Sequence, residues 1–247
     1  TDFAGPAVVS SNVTPSFVTR FAVVVATFVV DEVPAQDPVV LLDSLPFVKR
    51  SLSGSTYTFE RTIGSTDPQG TFPATVQMTD ALGNATNAQL GTVVVDFVPP
   101  ILSSLVVQPT IARVGTVVAI SFDSNEALRP DPQVFVDNLP ASFVSKLGLT
   151  YTFTYTVSST TSVPSPVVVA LALDLAGNSA AALTGRPLTT DFSGPTFSGY
   201  SAAPSLARLG TTVNVSFTAN EQLQATPNVT VGAEPAYPVS QNGLTYT

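Results

Sequence analysis

The chain has 247 residues, of which 9 are lysine or arginine and 17 are aspartate or glutamate, and it contains no histidine, cysteine or tryptophan. The missing residue types exclude histidine general bases, thiol nucleophiles and zinc sites built from imidazole or thiolate. The net charge of −8 argues against a nucleic-acid partner, since phosphate binding requires a clustered lysine and arginine surface. We therefore expect a carrier or scaffold and not an enzyme.

The chain is unusually poor in charge for its hydrophobicity. Charged residues make up 11% of the sequence, against about 25% in an ordinary soluble domain, and the mean hydropathy is +0.34. Part of the surface is therefore expected to be covered by something other than water. The longest apolar run, residues 21–30, is about half as long as a membrane helix and ends at two acids. It predicts a strand, and we expect no membrane insertion in this segment.

The sequence repeats itself at intervals of about 95 residues. The opening Asp2-Phe-Ala-Gly-Pro has counterparts that begin at Asp96 and at Asp191. Other landmarks keep the same step: the prolines Pro15, Pro109 and Pro204, the phenylalanines Phe28, Phe122 and Phe217, the glutamates Glu32, Glu126 and Glu221, and the tyrosines Tyr57, Tyr151 and Tyr246. The intervals predict three domains, residues 1–95, 96–190 and a partial one at 191–247.

Within each unit, apolar and polar residues alternate with the period of two that is typical of strands. In the second unit Val118, Ile120 and Phe122 are predicted to face the core, while Ala119 and Ser121 face away. The frequent valine and threonine suit strands, and 21 prolines with 15 glycines punctuate them. About seven short strands in each complete unit predict an all-β fold of tandem immunoglobulin-like β-sandwich domains.

The third unit is shorter than the others. It stops just after its tyrosine strand, before any counterpart of residues 72–80 and 92–95 of the first unit. Without those two strands, the inner face around Val213 and Phe217 is expected to lie open. Either the chain is a segment of a longer repeat protein, or a neighbouring chain supplies the strands by donor-strand pairing.

The joints between units contain no flexible glycine and serine spacer. The last strand of the first unit leads through Asp96 and Phe97 directly into Pro99 and Pro100. Because proline fixes φ, the joints are expected to be semi-rigid and the array rod-like. We expect the phenylalanine to pack within the joint.

A combination of three motifs carries a resemblance that covers the whole chain. The units open with Asp-x-x-x-Pro, an apolar strand ends in Asn-Glu, as at Asn125-Glu126, and a late Asp-x-x-Gly-Asn turn runs from Asp174 to Asn178. This pattern resembles the bacterial immunoglobulin-like (Big-type) repeats of large surface proteins and adhesins. The resemblance implies a stalk, fibre or filament segment of an extracellular, cell-surface repeat protein. The alternative is a ligand-binding accessory module, for example one that binds glycans.

One end of the second sandwich is expected to collect acidic residues. In an immunoglobulin-like topology, Asp96, Asn125, Glu126 and Asp174 all lie at the same end. Their oxygens would form either a calcium site or a hydrogen-bonded cap over loop amides. Calcium also occurs at joints among the adhesins that the sequence resembles. The facing end of the first unit offers one further acid, Asp67.

Two Asp-x-x-Gly-Asn segments, residues 80–84 and 174–178, resemble part of a calcium loop. They fall between predicted strands, where glycine and asparagine are suited to the positive φ of a tight turn. We therefore predict turns at both places.

Some positions that face away from the predicted core are apolar. They are Val23 and Val25 in the first unit and Val169, Leu171 and Leu173 in the second. A solitary sandwich is expected to be polar at such positions. We therefore predict self-association between neighbouring chains, which generates filaments when the contacts do not close into a ring. The alternative is that loops or a short extra strand cover these positions.

Overall fold

The computed structural model describes residues 3–129, 132–159, 161, 168–185 and 188–247. Within these ranges all of the regular structure consists of β-strands and isolated bridges, so the fold is all-β as predicted. The described part of the chain contains no helix that is long and apolar enough to cross a membrane. The chain divides into two compact units, Thr1–Thr190 and Asp191–Thr247. The finer boundary after residue 95 stays a prediction.

The first sandwich is built from nine strands among the described residues: β1 (Val8–Thr14), β2 (Phe17–Val18), β3 (Val23–Val30), β4 (Val39–Leu42), β5 (Leu45–Pro46), β6 (Val48–Ser53), β7 (Thr56–Thr62), β8 (Gly70–Thr79) and β9 (Ala85–Val95). They form two sheets, in the orders β1-β3-β7-β6 and β2-β9-β8-β4-β5. Strand β2 runs parallel to β9. The first two strands, β1 and β2, therefore lie in different sheets, and this pairing order is immunoglobulin-like.

The second sandwich has the strands β10 (Leu102–Gln108), β11 (Ile111–Ala112), β12 (Val117–Ser124), β13 (Gln133–Val136), β14 (Leu139–Pro140), β15 (Ser142–Leu147), β16 (Thr150–Thr156), β17 (Val168–Leu171), β18 (Leu183–Thr184) and β19 (Thr189–Thr190). They pair in the orders β10-β12-β16-β15, β14-β13-β17-β18 and β11-β19. The register of the central pair repeats that of the first sandwich, since Phe28 lies opposite Tyr57 and Phe122 lies opposite Tyr151.

The unit Asp191–Thr247 has the strands β20 (Phe197–Ala203), β21 (Asn214–Ala219), β22 (Val229–Val231), β23 (Glu234–Ala236), β24 (Gln241–Asn242) and β25 (Thr245–Tyr246). They pair in the orders β20-β21-β25-β24 and β22-β23. Phe217 lies opposite Tyr246, so the central register appears a third time.

The alternation of strand β12 defines the core of the second sandwich. Val118, Ile120 and Phe122 are fully buried, Ser121 is half-buried and Ala119 is exposed. The predicted direction of the pleat is confirmed. Fully burying a side chain of this size contributes about 1.5–3 kcal/mol.

The inner face of the unit Asp191–Thr247 lies open, as predicted. A cleft of about 780 Å³ runs along it, and its lining includes Val215, Phe217, Val229 and Tyr246. In the first sandwich strands β8 and β9 cover the corresponding face, and their inward valines are fully buried. The aromatic residues of the third repeat thus face the short strands β22 and β23, from which Val229 packs against them.

Candidate metal centre

Three carboxylates meet at the end of the second sandwich that adjoins the first. One oxygen from each of Asp96, Glu126 and Asp174 lies within 4.8 Å of the other two. Asp96 directly follows β9, Glu126 follows β12, and Asp174 lies between β17 and β18, where it bridges to Leu128. Asp174 is buried, and the other two acids are half-buried. The topology therefore brings together side chains from three separate segments of the chain.

Asn125, the fourth predicted ligand, has a different contact. Its Oδ1 accepts a hydrogen bond from the backbone N–H of Ile101 at 2.7 Å, just before β10 begins. Asp31 and Asn220 accept the equivalent bond in their own repeats, also at 2.7 Å. The side chain at this position therefore fastens the entry of the first strand to the end of the second in all three repeats. The structure places the Asn125 oxygen in a hydrogen-bonded cap, and its role as a metal ligand stays a prediction.

Asp174 organises the turn that it begins. Its Oδ1 accepts the backbone N–H groups of Gly177 at 2.6 Å and Asn178 at 2.8 Å, and its Oδ2 accepts the Asn178 side-chain amide at 2.7 Å. Gly177 has a φ of 101°, and a Cβ there would lie 2.9 Å from the Arg129 guanidinium. The positive φ favours glycine at this position, whereas the Arg129 side chain is flexible enough to move away from a Cβ.

The turn at Asp80 shares two of these three bonds, and among the described residues no cluster of carboxylates adjoins it. Asp80 Oδ1 accepts the N–H groups of Leu82 and Asn84, each at 2.8 Å, and its Oδ2 accepts the Asn84 side-chain amide at 2.7 Å. Burial raises the pKa of Asp80, but these hydrogen bonds outweigh burial and hold the pKa below its usual value. Both segments are turns, as predicted, and neither requires a metal to close.

The electrostatics of the cluster differ from those of the isolated turn. Burial raises the pKa of Glu126, and the negative charges of Asp96 and Asp174 raise it further. Among the described residues, no lysine or arginine forms an ion pair with the cluster. The further acid of the first unit, Asp67, is instead paired with Arg61 at 2.6 Å. Asp67 therefore neutralises an arginine of its own sandwich and does not join the other three acids.

The donor set fits a hard divalent cation such as calcium. Every group in the cluster is a carboxylate oxygen, which is the ligand type that calcium prefers. Both oxygens of Asp174 already accept hydrogen bonds, so most of the remaining coordination capacity lies on Asp96 and Glu126. If each carboxylate gives one oxygen, the three side chains supply fewer than the six to eight oxygens that calcium takes, and water would complete the shell.

The five apolar positions predicted to face outward lie on two strands and the segment after one of them. Val23 is 44% exposed and Val25 is half-buried, both in β3, while Leu171 and Leu173 are 45% and 40% exposed. Val169 lies in β17, but its side chain falls outside the part of the chain that the structure describes. Within the chain, three of these side chains are thus substantially open to solvent.

No protein-family model matches the chain, and no curated protein matches it in sequence. Among solved structures, it is similar to the fibronectin(III)-like modules of Clostridium thermocellum CbhA, with a TM-score of 0.43, 10% identity and coverage of 75% of this chain and 94% of that one. A structure of three immunoglobulin domains of titin aligns with a TM-score of 0.45 and 15% identity over 99% of this chain and 87% of that one. A Ca2+-stabilized adhesin of an Antarctic bacterium aligns with a TM-score of 0.43 and 16% identity over 88% of this chain and 58% of that one.

Proposed function

We propose that this chain is a structural and adhesive segment, a stalk or fibre, of an extracellular bacterial repeat protein. The proposal rests on one observation. The sandwich recurs in tandem, and the linker between the first two sandwiches is held by packing and hydrogen bonds. Such a construction transmits force along the chain, because no flexible spacer absorbs the extension. The sequence also lacks the histidine and cysteine on which much of enzyme catalysis depends.

The linker between the first two sandwiches is anchored at Phe97. This side chain is 6% exposed and belongs to the core of the first sandwich. Its backbone N–H donates to Gln69 Oε1 at 2.7 Å, and the Arg20 guanidinium carbon lies 4.4 Å from the centroid of its ring. Packing, a hydrogen bond and a cation–π contact therefore hold the same linker residue. This anchoring supports a semi-rigid joint.

Calcium at the three-carboxylate cluster is the second part of the proposal. A cation bound by Asp96, Glu126 and Asp174 would tie the linker to two other segments of the second sandwich. It would also offset the mutual repulsion that raises the pKa of Glu126. Binding to the folded state alone stabilises that state by mass action. We expect a higher Tm in calcium than in chelator, and identical melting curves would leave the hydrogen-bonded cap as the only role of these acids.

Lateral assembly through the outward apolar positions is the third part. The low charge content of the chain and the exposure of Leu171 and Leu173 support it. We expect the double variant Leu171→Lys and Leu173→Lys to sediment as a monomer at concentrations where the unmodified chain associates. Leu147→Lys is the matched control, because Leu147 is 85% exposed on β15, away from this strand. A monomeric unmodified chain at high concentration would refute this part.

The cellular location is tested by exposure on intact cells. An antibody raised against the folded chain should bind whole cells of the source bacterium as strongly as it binds broken ones. Binding only after the cells are broken would overturn the proposed extracellular role. A cytoplasmic protein of known abundance serves as the control for accidental lysis.

A further inference from the structure

The side-chain amide of Asn178 forms hydrogen bonds with three parts of the chain: the first sandwich, the linker and its own turn. Its Nδ2 donates to Asp174 Oδ2 at 2.7 Å and to the linker carbonyls of Asp96 at 3.0 Å and Val98 at 3.4 Å. Its Oδ1 accepts the hydroxyl of Thr19 at 2.5 Å. Only 9% of Asn178 is exposed, so these bonds form away from most competing water.

The partners belong to different parts of the array. Thr19 directly follows β2 of the first sandwich, and Asn178 ends the Asp174 turn of the second. Asp96 and Val98 lie in the linker between the two sandwiches. One buried amide therefore contacts both sandwiches and the linker that joins them, and a change in the angle between the sandwiches would break at least one of its bonds.

We propose that Asn178 and Thr19 form a lock that fixes the orientation of the first two sandwiches. Asn178 is the positioning residue, and the hydrogen bond from the Thr19 hydroxyl connects it to the first sandwich. The lock rests on the stalk function for its biological purpose, since stiffness matters where force is transmitted. Its geometry is independent of whether calcium binds.

The equivalent positions of the two repeats show which of these bonds the sandwich fold itself requires. Asn84 makes the same turn bonds in the first sandwich, so an asparagine at this position serves the turn in both repeats. The counterpart of Thr19 in the second repeat is Arg113, which stands in the same strand topology. The sandwich therefore does not require a hydroxyl at this position. Substitutions of Thr19 remove the contact between sandwiches and leave the Asp174 turn intact.

The lock can be tested by measuring distances across the joint. The chain has no cysteine, so Ser53→Cys and Ser145→Cys place one spin label on an exposed site of each sandwich. Pulsed electron paramagnetic resonance on the full chain, in chelator, then gives the distribution of distances between the labels. Thr19→Val and Thr19→Ala remove the hydroxyl, and Thr19→Ser retains it. Circular dichroism establishes that each variant is folded.

We expect one narrow distance peak for the unmodified chain and for Thr19→Ser. In Thr19→Val and Thr19→Ala, the population outside that peak should rise about fivefold, the change that follows from losing a hydrogen bond of ~1 kcal/mol. Unchanged distributions in both variants, or a Thr19→Ser distribution as broad as theirs, would overturn the lock. This outcome is separate from the antibody test of the stalk function, which is insensitive to the angle between sandwiches.

Discussion

The second sandwich and the unit Asp191–Thr247 contain the same aromatic pair in different surroundings. Phe122 stacks on Tyr151 with ring centroids 5.5 Å apart, and Phe217 stacks on Tyr246 at 5.6 Å. Phe122 is fully buried, whereas Phe217 is 8% exposed and lines the open cleft. The pair therefore keeps its stacking geometry where the facing sheet is reduced to the short strands β22 and β23. Full burial additionally requires the facing sheet.

The acidic residues at the strand ends can be compared between the same two regions. Asp96 and Asp191 each accept the N–H of the residue two positions later, both at 2.9 Å. Glu126 and Glu221 occupy equivalent positions in the repeat. Among the described residues, however, only the second sandwich brings in a third carboxylate, that of Asp174. Asp96 and Asp191 therefore serve as caps in both repeats, and among the described residues the acids form a candidate metal centre where the Asp174 turn joins them.

The largest expected effect is a difference between two equivalent core truncations. Phe122→Ala should lower the free energy of unfolding of its sandwich by about 3–5 kcal/mol, because it leaves a cavity in a closed core. Phe217→Ala should cost less, about 1–3 kcal/mol, because its side chain already borders a cleft and little new cavity forms. Denaturant titrations followed by circular dichroism measure both values.

Ser121→Ala is the control for the closed core, because the half-buried Ser121 lies on the other side of the same strand. It should be nearly neutral. Equal losses for Phe122→Ala and Phe217→Ala would contradict the view that the facing sheet determines the energy of this pair.

The next effect separates the two equivalent glutamates. In the unmodified chain, calcium at 100 times its Kd should add about 2.7 kcal/mol of stability. Glu126→Gln should abolish most of this gain because it removes a charged ligand, whereas Glu221→Gln should retain it. Calorimetric titration and thermal melting measure the two quantities independently. Retention of the full calcium response by Glu126→Gln would exclude the cluster as the site.

The smallest expected effect is a pH dependence without calcium. Because the folded-state pKa of Glu126 lies above its ordinary value of 4.5, the folded state holds more protons than the unfolded state between those two pKa values. Stability should therefore fall as the pH rises through this window. Glu126→Gln should remove this loss and become more stable than the unmodified chain at neutral pH.

The Glu221→Gln variant again provides the comparison, since it changes the same residue type at the equivalent repeat position. Melting curves from pH 4 to 7, about the range in which a raised glutamate titrates, give the difference between the two variants. Parallel pH profiles for Glu126→Gln and Glu221→Gln would show that the clustered charges do not affect folding.

The fold could be predicted because its signals are local or periodic. The period of two in β12 predicts which side chains enter the core, and the recurrence of Tyr57, Tyr151 and Tyr246 predicts that they occupy one structural position. All three tyrosines are buried. Topology then brings Asp96, Glu126 and Asp174 to one end, since strand order determines which strand ends are neighbours.

The contacts that could not be predicted depend on side-chain orientation and on the angle between sandwiches. The sequence offers Asn125 as a calcium ligand, but it does not show that the Asn125 oxygen accepts the backbone N–H of Ile101. The Asp67 carboxylate accepts hydrogen bonds from the backbone N–H of Gly64 and from Arg61. These bonds hold it within the first sandwich. The contact between Thr19 and Asn178 has no signal in the repeat, because the counterpart of Thr19 is a different residue.

The central proposal is that this chain is part of an extracellular stalk. Electron microscopy of the native protein, at the cell surface and after release, tests it most directly. The account predicts thin projections or fibres in which beads of sandwich size follow one another at regular spacing. Compact particles without a repeating axial spacing, or a protein found only inside the cell, would contradict it.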